Sequence, residues 1–235
     1  MSDTLDDPRI ANGMRAQMEL RRKRLSEGAT QVGWKVGFGA PAAKEKLRLD
    51  EPLVGFLLDR AILSSGATVS LADWQKPVAE AEIAAYIGRD LHAGANRDEV
   101  RKAIAAIGPA IEVADVDCAM DDVQAALSGD IFQRHVILGP RDVMRSGARL
   151  DGLVGRVTRS GQDVPVPADL ESNIGRIVDI VRHVANMAAA LNDRLRAGQF
   201  IICGSLTAPM FLQPGETGVE FALTPIGAIS VRFAR

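Results

Sequence analysis

The feature that most constrains this chain is a pair of glutamates in an otherwise apolar segment, Val78-Ala-Glu80-Ala-Glu82-Ile-Ala-Ala-Tyr-Ile-Gly88. The segment predicts a β-strand, and strand alternation places Glu80 and Glu82 on one face and the alanine and isoleucine side chains on the other. Neighbouring like charges repel, and burial away from water makes them still less favourable. Such a strand therefore needs either a solvated face or a bound cation.

A second strand-like segment, Ile107-Gly-Pro-Ala-Ile-Glu112-Val-Ala-Asp115, carries one carboxylate between Ile111 and Val113. For an isolated Glu-x-Glu pattern the solvated face is the better explanation. Three carboxylates on two apolar strands favour a shared site instead. Because all the candidate ligands are oxygens, the sequence predicts a site for a hard divalent cation.

Lys35 is the candidate cationic residue. It lies in a predicted strand over residues 31–38 and shares a strand face with Gly33 and Gly37. These small neighbours leave room for a ligand beside the ammonium group. A surface lysine on an edge strand, which limits aggregation, explains the same pattern equally well, so both interpretations stay open.

A nucleotide site is a weaker alternative. Gly37-Phe-Gly39-Ala-Pro-Ala42 loosely fits the GxGxxA dinucleotide pattern, and Asp59 follows at a suitable distance. However, Pro41 stiffens the turn that would wrap a pyrophosphate, and the chain after Asp59 does not continue as alternating strands and helices.

The order of elements predicts an α+β fold with curled, mixed sheets, because strands and helices do not alternate regularly. A helix over residues 97–106, with Asn96 as its N-cap and Gly108 as its stop, is expected to join the two carboxylate strands. Further helices are predicted over residues 5–27, 41–47, 121–127 and 174–196. Further strands are predicted over residues 53–58, 67–71, 134–139, 153–159, 163–166, 200–203, 219–223 and 228–233.

Charge and cysteine content exclude several classes of protein. The formal net charge is -2 at pH 7, which gives no indication of a nucleic-acid or membrane partner. No signal peptide and no apolar run of membrane-spanning length are visible. Cys118 and Cys203 lack CxxC spacing, so we expect reduced core residues in a cytoplasmic protein.

Five motifs taken together resemble the fumarylacetoacetate hydrolase superfamily. Within it the chain is most similar to the branch of 2-keto-4-pentenoate hydratases and 4-oxalocrotonate decarboxylases, and the resemblance runs from about residue 10 to the C-terminus. The motifs are Gly33-Trp-Lys35-Val-Gly37, Glu80-Ala-Glu82-Ile-Ala, Pro109-Ala-Ile-Glu112-Val, Gly204-Ser-Leu-Thr207 and Ile229-Ser-Val-Arg-Phe233.

The resemblance implies a mixed β-sandwich roll with an N-terminal α/β portion. On this basis residues 1–70 form the N-terminal helix and α/β portion, and residues 71–235 form the β-roll catalytic core, within one continuous domain. It also implies a Mg²⁺ or Mn²⁺ site with ligands at Glu80, Glu82 and Glu112. Lys35 corresponds to the lysine of the active-site strand, and it is expected to hold the anionic substrate and to act as a catalytic proton shuttle if burial and the cation lower its pKa.

The loop that approaches the substrate corresponds to Gly204, Ser205 and Thr207. Two positions depart from the branch. Leu53 stands where hydratases usually carry an acid that is thought to act in proton transfer. Ser128-Gly-Asp130-Ile-Phe-Gln-Arg134 replaces an Asp-Asn-Ala-Ser run, and Asp130 is expected to contact substrate.

The implied function is a metal-dependent, hydratase-like lyase of aromatic compound catabolism. Its substrate would be a small 2-oxo carboxylate, such as a 2-hydroxy-2,4-dienoate, and it would react through a metal-stabilised enolate. A decarboxylase or a C–C hydrolase of the fumarylpyruvate or acylpyruvate type is the runner-up. A non-catalytic subunit of an active paralogue is a further alternative. The branch also implies a homo-oligomer or a complex with a paralogous decarboxylase.

Overall fold

The computed structural model of the protein describes residues 3–234, and its mixture of helices and two mixed sheets confirms the predicted α+β class. The helices are short apart from the first and the last, and they lie around the sheets. Their bounds are Pro8–Ser26 (α1), Pro41–Leu47 (α2), Arg97–Ala103 (α3), Val123–Ser128 (α4) and Ile177–Ala190 (α5).

The strands account for most of the buried core. Their bounds are Gln31–Gly37 (β1), Leu53–Leu58 (β2), Ile62–Leu63 (β3), Ala67–Ser70 (β4), Pro77–Ile87 (β5), Ile104–Asp115 (β6), Gln133–Leu138 (β7), Val154–Arg159 (β8), Gln162–Val164 (β9), Phe200–Ser205 (β10), Met210–Phe211 (β11), Gly218–Thr224 (β12) and Gly227–Ala234 (β13).

The larger sheet has the strand order β2-β1-β10-β5-β6-β7-β3, and β11 pairs with the outer part of β5. The long strands β5 and β6 run antiparallel in its middle, and their register sets Glu80 directly opposite Glu112. On one side β10 pairs antiparallel with β5 and parallel with β1. Strands that are far apart in the chain therefore meet beside the carboxylates.

The smaller sheet has the order β4-β13-β12-β8-β9, and β12 and β13 pack against β6. Inward side chains of both sheets belong to one contiguous apolar cluster, which includes Ile111, Phe221 and Val231. Strands from the first 70 residues share the larger sheet with β5, β6 and β7. The division at residue 70 remains a prediction.

Helix α1 packs against α4 at the β2 edge of the larger sheet. Asp7 caps α1 by accepting a hydrogen bond from the Arg9 backbone N–H at 2.8 Å. Inside the interface, the buried Gln17 amide donates to the carbonyl oxygens of Val54 (3.2 Å) and Leu127 (3.1 Å). These bonds fix β2 relative to α4, and Asp130 lies in the segment that directly follows α4.

Two predicted helices are shorter than expected. The helix predicted over residues 97–106 ends at Ala103, and Gly108 lies inside β6. A Cβ at Gly108 would lie 2.4 Å from the Pro140 carbonyl oxygen, so this glycine serves a close approach and not a helix end. The helix predicted over residues 174–196 ends near Leu191. Asn192 follows in the left-handed region (φ 58°), and the chain then pairs Leu195 with Leu91.

The two cysteines are free thiols, as predicted. Cys203 is fully buried on β10, whereas Cys118 is partly exposed after β6, so the predicted core position is wrong for Cys118. Within residues 3–234 no helix combines the length and hydrophobicity that a membrane span requires.

Candidate functional site

The three carboxylates predicted as metal ligands converge across the two central strands. One carboxylate oxygen each from Glu80, Glu82 and Glu112 lies within 4.8 Å of the others. Glu82 and Glu112 are each 1% exposed, and Glu80 is half-buried. A solvated strand face is therefore the wrong explanation for this pattern.

Burial destabilises the ionised forms of Glu80 and Glu82. It raises the pKa of Glu80 to about 7, with a further contribution from the Glu112 charge and an opposing one from Lys35. Burial, then the Glu112 and Glu80 charges, hold the pKa of Glu82 well above its usual value. A hydrogen bond from the Gly204 backbone N–H to Glu82 Oε2 (2.6 Å) fixes that carboxylate in place.

Lys35 is buried beside the carboxylates on an inner strand, because β1 lies between β2 and β10. Its side chain is 2% exposed in the fold, and its Nζ donates to Glu112 and, at 3.0 Å, to the Ile131 carbonyl oxygen. Burial alone would lower the pKa of Lys35, but the Glu112 charge, with Asp130 and Glu82, raises it above the usual value. The edge-strand interpretation is therefore wrong, and Lys35 is an ammonium cation.

A cavity of about 370 Å³ opens beside this cluster, and Lys35, Glu80 and Glu112 form part of its wall. It lies where the carboxyl ends of β1, β6 and β10 meet the amino end of β5. Glu82 lies next to the cavity, under the Gly204 backbone. The arrangement provides oxygen ligands, a fixed cation and space for a small molecule.

Gly204, Ser205 and Thr207 also line the cavity, in the segment that leaves β10. Gly204 has a φ of 96°, which favours glycine. The Ser205 carbonyl oxygen accepts a hydrogen bond from the Asn173 side chain at 2.8 Å. The Ser205 hydroxyl is buried and has no hydrogen-bond partner among the described residues.

Asp130 lies outside the cavity wall. It is 1% exposed, and its Oδ1 accepts a hydrogen bond from the Phe56 backbone N–H at 2.9 Å. A Cβ placed on Gly55 would lie 2.8 Å from Asp130 Oδ1 and 2.9 Å from Lys35 Cγ, so Asp130 and the Lys35 stem flank the same glycine. Burial raises the pKa of Asp130 to about 8. Direct contact between Asp130 and substrate remains a prediction.

The nucleotide interpretation is wrong. Strand β2 runs antiparallel to β1, whereas a dinucleotide fold needs parallel strands joined through the helix. The Asp59 carboxylate accepts hydrogen bonds from the backbone N–H groups of Thr30 (3.0 Å) and Arg60 (2.9 Å). The glycine segment after β1 instead forms one side of the cavity.

Several cavity residues were missed by the sequence analysis. They are Phe38, Met120, Phe132, Asn173 and Phe211. Apolar residues and a loop asparagine carry no charge pattern that would single them out. The Ser128–Arg134 departure from the branch was the one signal near Phe132.

Comparison with known proteins places the chain in a family. The family model described as fumarylacetoacetate (FAA) hydrolase C-terminal matches residues 28–234. The chain belongs to this family. Family membership confirms the resemblance that the five motifs suggested.

Two curated relatives in the family are similar over nearly the whole chain. A 2-keto-4-pentenoate hydratase of Paraburkholderia xenovorans (strain LB400) is 27% identical over 241 residues, which cover 99% of this chain and 87% of the relative. A 4-oxalocrotonate decarboxylase of Pseudomonas putida is 26% identical over 231 residues, which cover 95% and 85%.

A solved structure of 4-oxalocrotonate decarboxylase from Pseudomonas putida G7, complexed with magnesium and adipate, matches with a TM-score of 0.87 and 25% identity. The match covers 99% of this chain and 89% of that chain. It confirms the predicted fold for the entire described chain.

Proposed function

We propose that the protein is a divalent-metal-dependent, hydratase-like lyase acting on 2-hydroxy-2,4-dienoates or related 2-oxo acids through the substrate enolate. The observation that carries this proposal is the cluster of three carboxylates, two buried and one half-buried, whose ligand oxygens lie within 4.8 Å of one another beside the buried Lys35, at the wall of a small cavity. Similarity to a hydratase over 99% of the chain supports the reaction class.

The donor set fits Mg²⁺ or Mn²⁺. Glu80, Glu82 and Glu112 offer only oxygen atoms, and their negative charge exceeds the single charge of Lys35, so the cluster is incompletely neutralised by the protein itself. We propose that these three glutamates hold the cation. When bound, it supplies a Lewis acid that stabilises negative charge at the keto oxygen of a 2-oxo acid.

Lys35 is proposed to bind the substrate carboxylate and to orient the acid in the cavity. In the metal-free protein the carboxylates hold the pKa of Lys35 above its usual value, so its ammonium group is charged. Gly204, Ser205 and Thr207 are proposed to contact the substrate from the β10 side, with the unpartnered Ser205 hydroxyl as a hydrogen-bonding group.

A decarboxylase or C–C hydrolase is the second candidate, supported by the similarity to 4-oxalocrotonate decarboxylase. The non-catalytic subunit is a third candidate because Leu53 is apolar and 1% exposed, so this position supplies no acid.

One set of incubations separates the three candidates. The protein is mixed with 2-hydroxypenta-2,4-dienoate, oxaloacetate or an acylpyruvate, each with and without Mg²⁺. A hydratase consumes the dienoate without releasing CO₂ or a second acid. Release of CO₂ or cleavage of the acylpyruvate supports the second candidate. Mg²⁺ binding without any turnover supports the subunit.

We also propose a homo-oligomer that works in the cytoplasm. The side chains of Val143 and Met144 are 64% and 72% exposed, as expected of apolar groups that another subunit covers. The two free cysteines agree with a reducing compartment. Light scattering coupled to gel filtration tests the assembly, and a monomer at working concentration contradicts it.

A further inference from the structure

The part of the cavity wall that begins directly beside the carboxylates is apolar. On the face of β5 and β6 that carries Glu80 and Glu112, the next pair in register is Val78 and Ala114. Val116 continues the same face beyond the end of β6, and all three side chains line the cavity. A molecule held at the carboxylates therefore extends over an aliphatic surface.

Further apolar residues line the same cavity. Phe38 and Phe132 meet edge to face with their ring centres 6.3 Å apart, and both line the cavity together with Met120 and Phe211. Phe132 is 5% exposed and Val116 is 7% exposed. These side chains form a slot for the part of a ligand that lies beyond the charged end.

Lys35 is the sole cationic side chain among the residues of 3–234 that line this cavity. It lies at the carboxylate end, where its Nζ already contacts Glu112 and Ile131. Two further cations contact Phe211: Lys76 Nζ lies 4.5 Å from the centre of its ring, and the Arg159 guanidinium donates a hydrogen bond to its carbonyl oxygen. Neither Lys76 nor Arg159 lines the cavity.

From this distribution of charge we infer that the site takes a monocarboxylate: a small 2-oxo acid whose tail, beyond the keto group, is uncharged and apolar. The inference rests on the proposed function and narrows its substrate class. Phe38, Val116, Met120 and Phe132 are the residues that determine this specificity.

The physical reason is the cost of a second carboxylate in the slot. A charge that loses water without gaining a partner is strongly unfavourable. The same carboxylate would also add to the negative charge of Glu80, Glu82 and Glu112. The volume of about 370 Å³ is near the lower end of the roughly 300–1,000 Å³ of ligand pockets, so a short acid is enclosed together with its tail.

Binding of matched pairs of acids tests the inference. 2-Oxohexanoate is compared with 2-oxoadipate, and 2-oxopentanoate with 2-oxoglutarate, by isothermal titration in buffer with Mg²⁺. Each pair has equal carbon numbers and differs in the second carboxylate. We expect the monoacid of each pair to bind at least about tenfold more tightly, as one unpaired charge in a partly desolvated site predicts. Equal or tighter binding of the diacids overturns the inference, as does failure of all four acids to bind.

A charge introduced into the slot gives a second test. Met120 is partly exposed, so Met120→Lys is tolerated by the fold, and Met120→Gln is the matched neutral control. The ratio of diacid to monoacid affinity should rise about tenfold in Met120→Lys and change little in Met120→Gln. Thermal unfolding verifies that both variants are folded. An unchanged ratio in folded Met120→Lys contradicts the assigned slot.

These measurements do not depend on turnover. If the dienoate is not consumed but monoacids bind preferentially, the proposed reaction fails and the inference on the tail stands. If the enzyme converts dienoates but binds diacids equally well, the reaction stands and the inference fails.

Discussion

The Glu82 carboxylate is fixed by a backbone hydrogen bond, but the protein alone does not neutralise its negative charge. Its Oε2 accepts the Gly204 N–H at 2.6 Å, and glutamine at this position can still accept that bond through its amide oxygen. Glu82→Gln should weaken Mg²⁺ or Mn²⁺ binding at least about tenfold, because one ligand charge is lost. Titration calorimetry measures the affinity, and thermal unfolding of the metal-free protein should show little loss of stability.

The matched control for this variant is Glu220→Gln, on the exposed side of β12. It removes the same charge far from the carboxylate cluster and should leave metal affinity unchanged. If Glu82→Gln unfolds while metal affinity is retained, Glu82 is a structural residue and the ligand assignment is wrong.

Lys35 and a bound cation compete for the same carboxylate, because Nζ donates to Glu112. Lys35→Met should therefore keep Mg²⁺ affinity within about tenfold of the wild type, or increase it. Its kcat/KM should fall by about 100-fold or more, since the group that orients the substrate carboxylate is gone.

Lys102→Met, at an exposed position of α3, is the control for the loss of a lysine and should alter neither quantity. Steady-state kinetics and metal titration on the same preparations provide the comparison. A wild-type kcat/KM in Lys35→Met would show that Lys35 does not orient the substrate.

At the scale of elements, β2 fixes the position of Lys35 through a glycine. A Cβ on Gly55 would lie 2.9 Å from Lys35 Cγ and 2.8 Å from Asp130 Oδ1, so either the lysine stem or Asp130 must move. Gly55→Ala should lower kcat/KM by about tenfold or more through misplacement of the ammonium.

The matched control is Gly129→Ala. Gly129 has ordinary helical φ (−91°) at the end of α4, and the nearest contact of an added Cβ is 3.7 Å. This variant should be close to wild type in both activity and melting temperature. Equal kinetics for Gly55→Ala and Gly129→Ala would show that Lys35 is not positioned by this contact.

The sequence predicted the elements that carry the site because their pattern is local. Alternation along residues 78–88 assigns Glu80 and Glu82 to one face without knowledge of any partner strand. The helix ends were less predictable. Ala103 and Ile104 suit either a helix or a strand, and the approach of Pro140 to Gly108, which keeps residue 108 in a strand, is a tertiary contact.

The surroundings of Asp130 could not be predicted for a related reason. Asp130, Ile131 and Phe132 all have positive φ values, of 61°, 52° and 63°. This conformation is stabilised by contacts to Phe56, Lys35 and Asp115 from three other elements. No local propensity favours such a turn in non-glycine residues.

In the whole molecule, the candidate site depends on pairing between strands that are far apart in the chain. Strand β1 begins at Gln31 and pairs with β10, which begins at Phe200. The cavity forms only when β10 lies between β1 and β5, because residues of β1, β5, β6 and β10 line it. The amino-terminal and carboxy-terminal parts of the chain are thus both needed to enclose a ligand, and the family match over residues 28–234 includes both.

The charge of this enclosed cluster makes the stability of the metal-free protein dependent on pH. Burial raises the pKa of Glu80 to about 7 and that of Asp130 to about 8, above the values of the unfolded chain. The folded state then binds protons more tightly than the unfolded state. This stabilising contribution is complete at low pH and is lost as pH rises through these two values.

The half-buried His135 and the buried His183 have lowered pKa values, caused first by burial. They act in the opposite direction, but only below about pH 6.5. From about pH 6.5 to about pH 8.5 the free energy of unfolding of the metal-free protein should therefore decrease. Urea unfolding in the presence of a chelator measures it.

Mg²⁺ should reverse this decrease, because it binds the ionised carboxylates that alkaline pH produces and does not bind the unfolded chain comparably. The stabilisation by a fixed excess of Mg²⁺ should grow from about pH 6.5 to about pH 8.5. Asp130→Asn, which keeps an oxygen acceptor for the Phe56 N–H, should flatten the metal-free profile but preserve the Mg²⁺ effect. Glu82→Gln should diminish the Mg²⁺ effect. Two outcomes would show that the carboxylate cluster is neutralised without a cation. One is an increase in the stability of the metal-free protein from about pH 6.5 to about pH 8.5, and the other is a stability that Mg²⁺ does not change anywhere in this range.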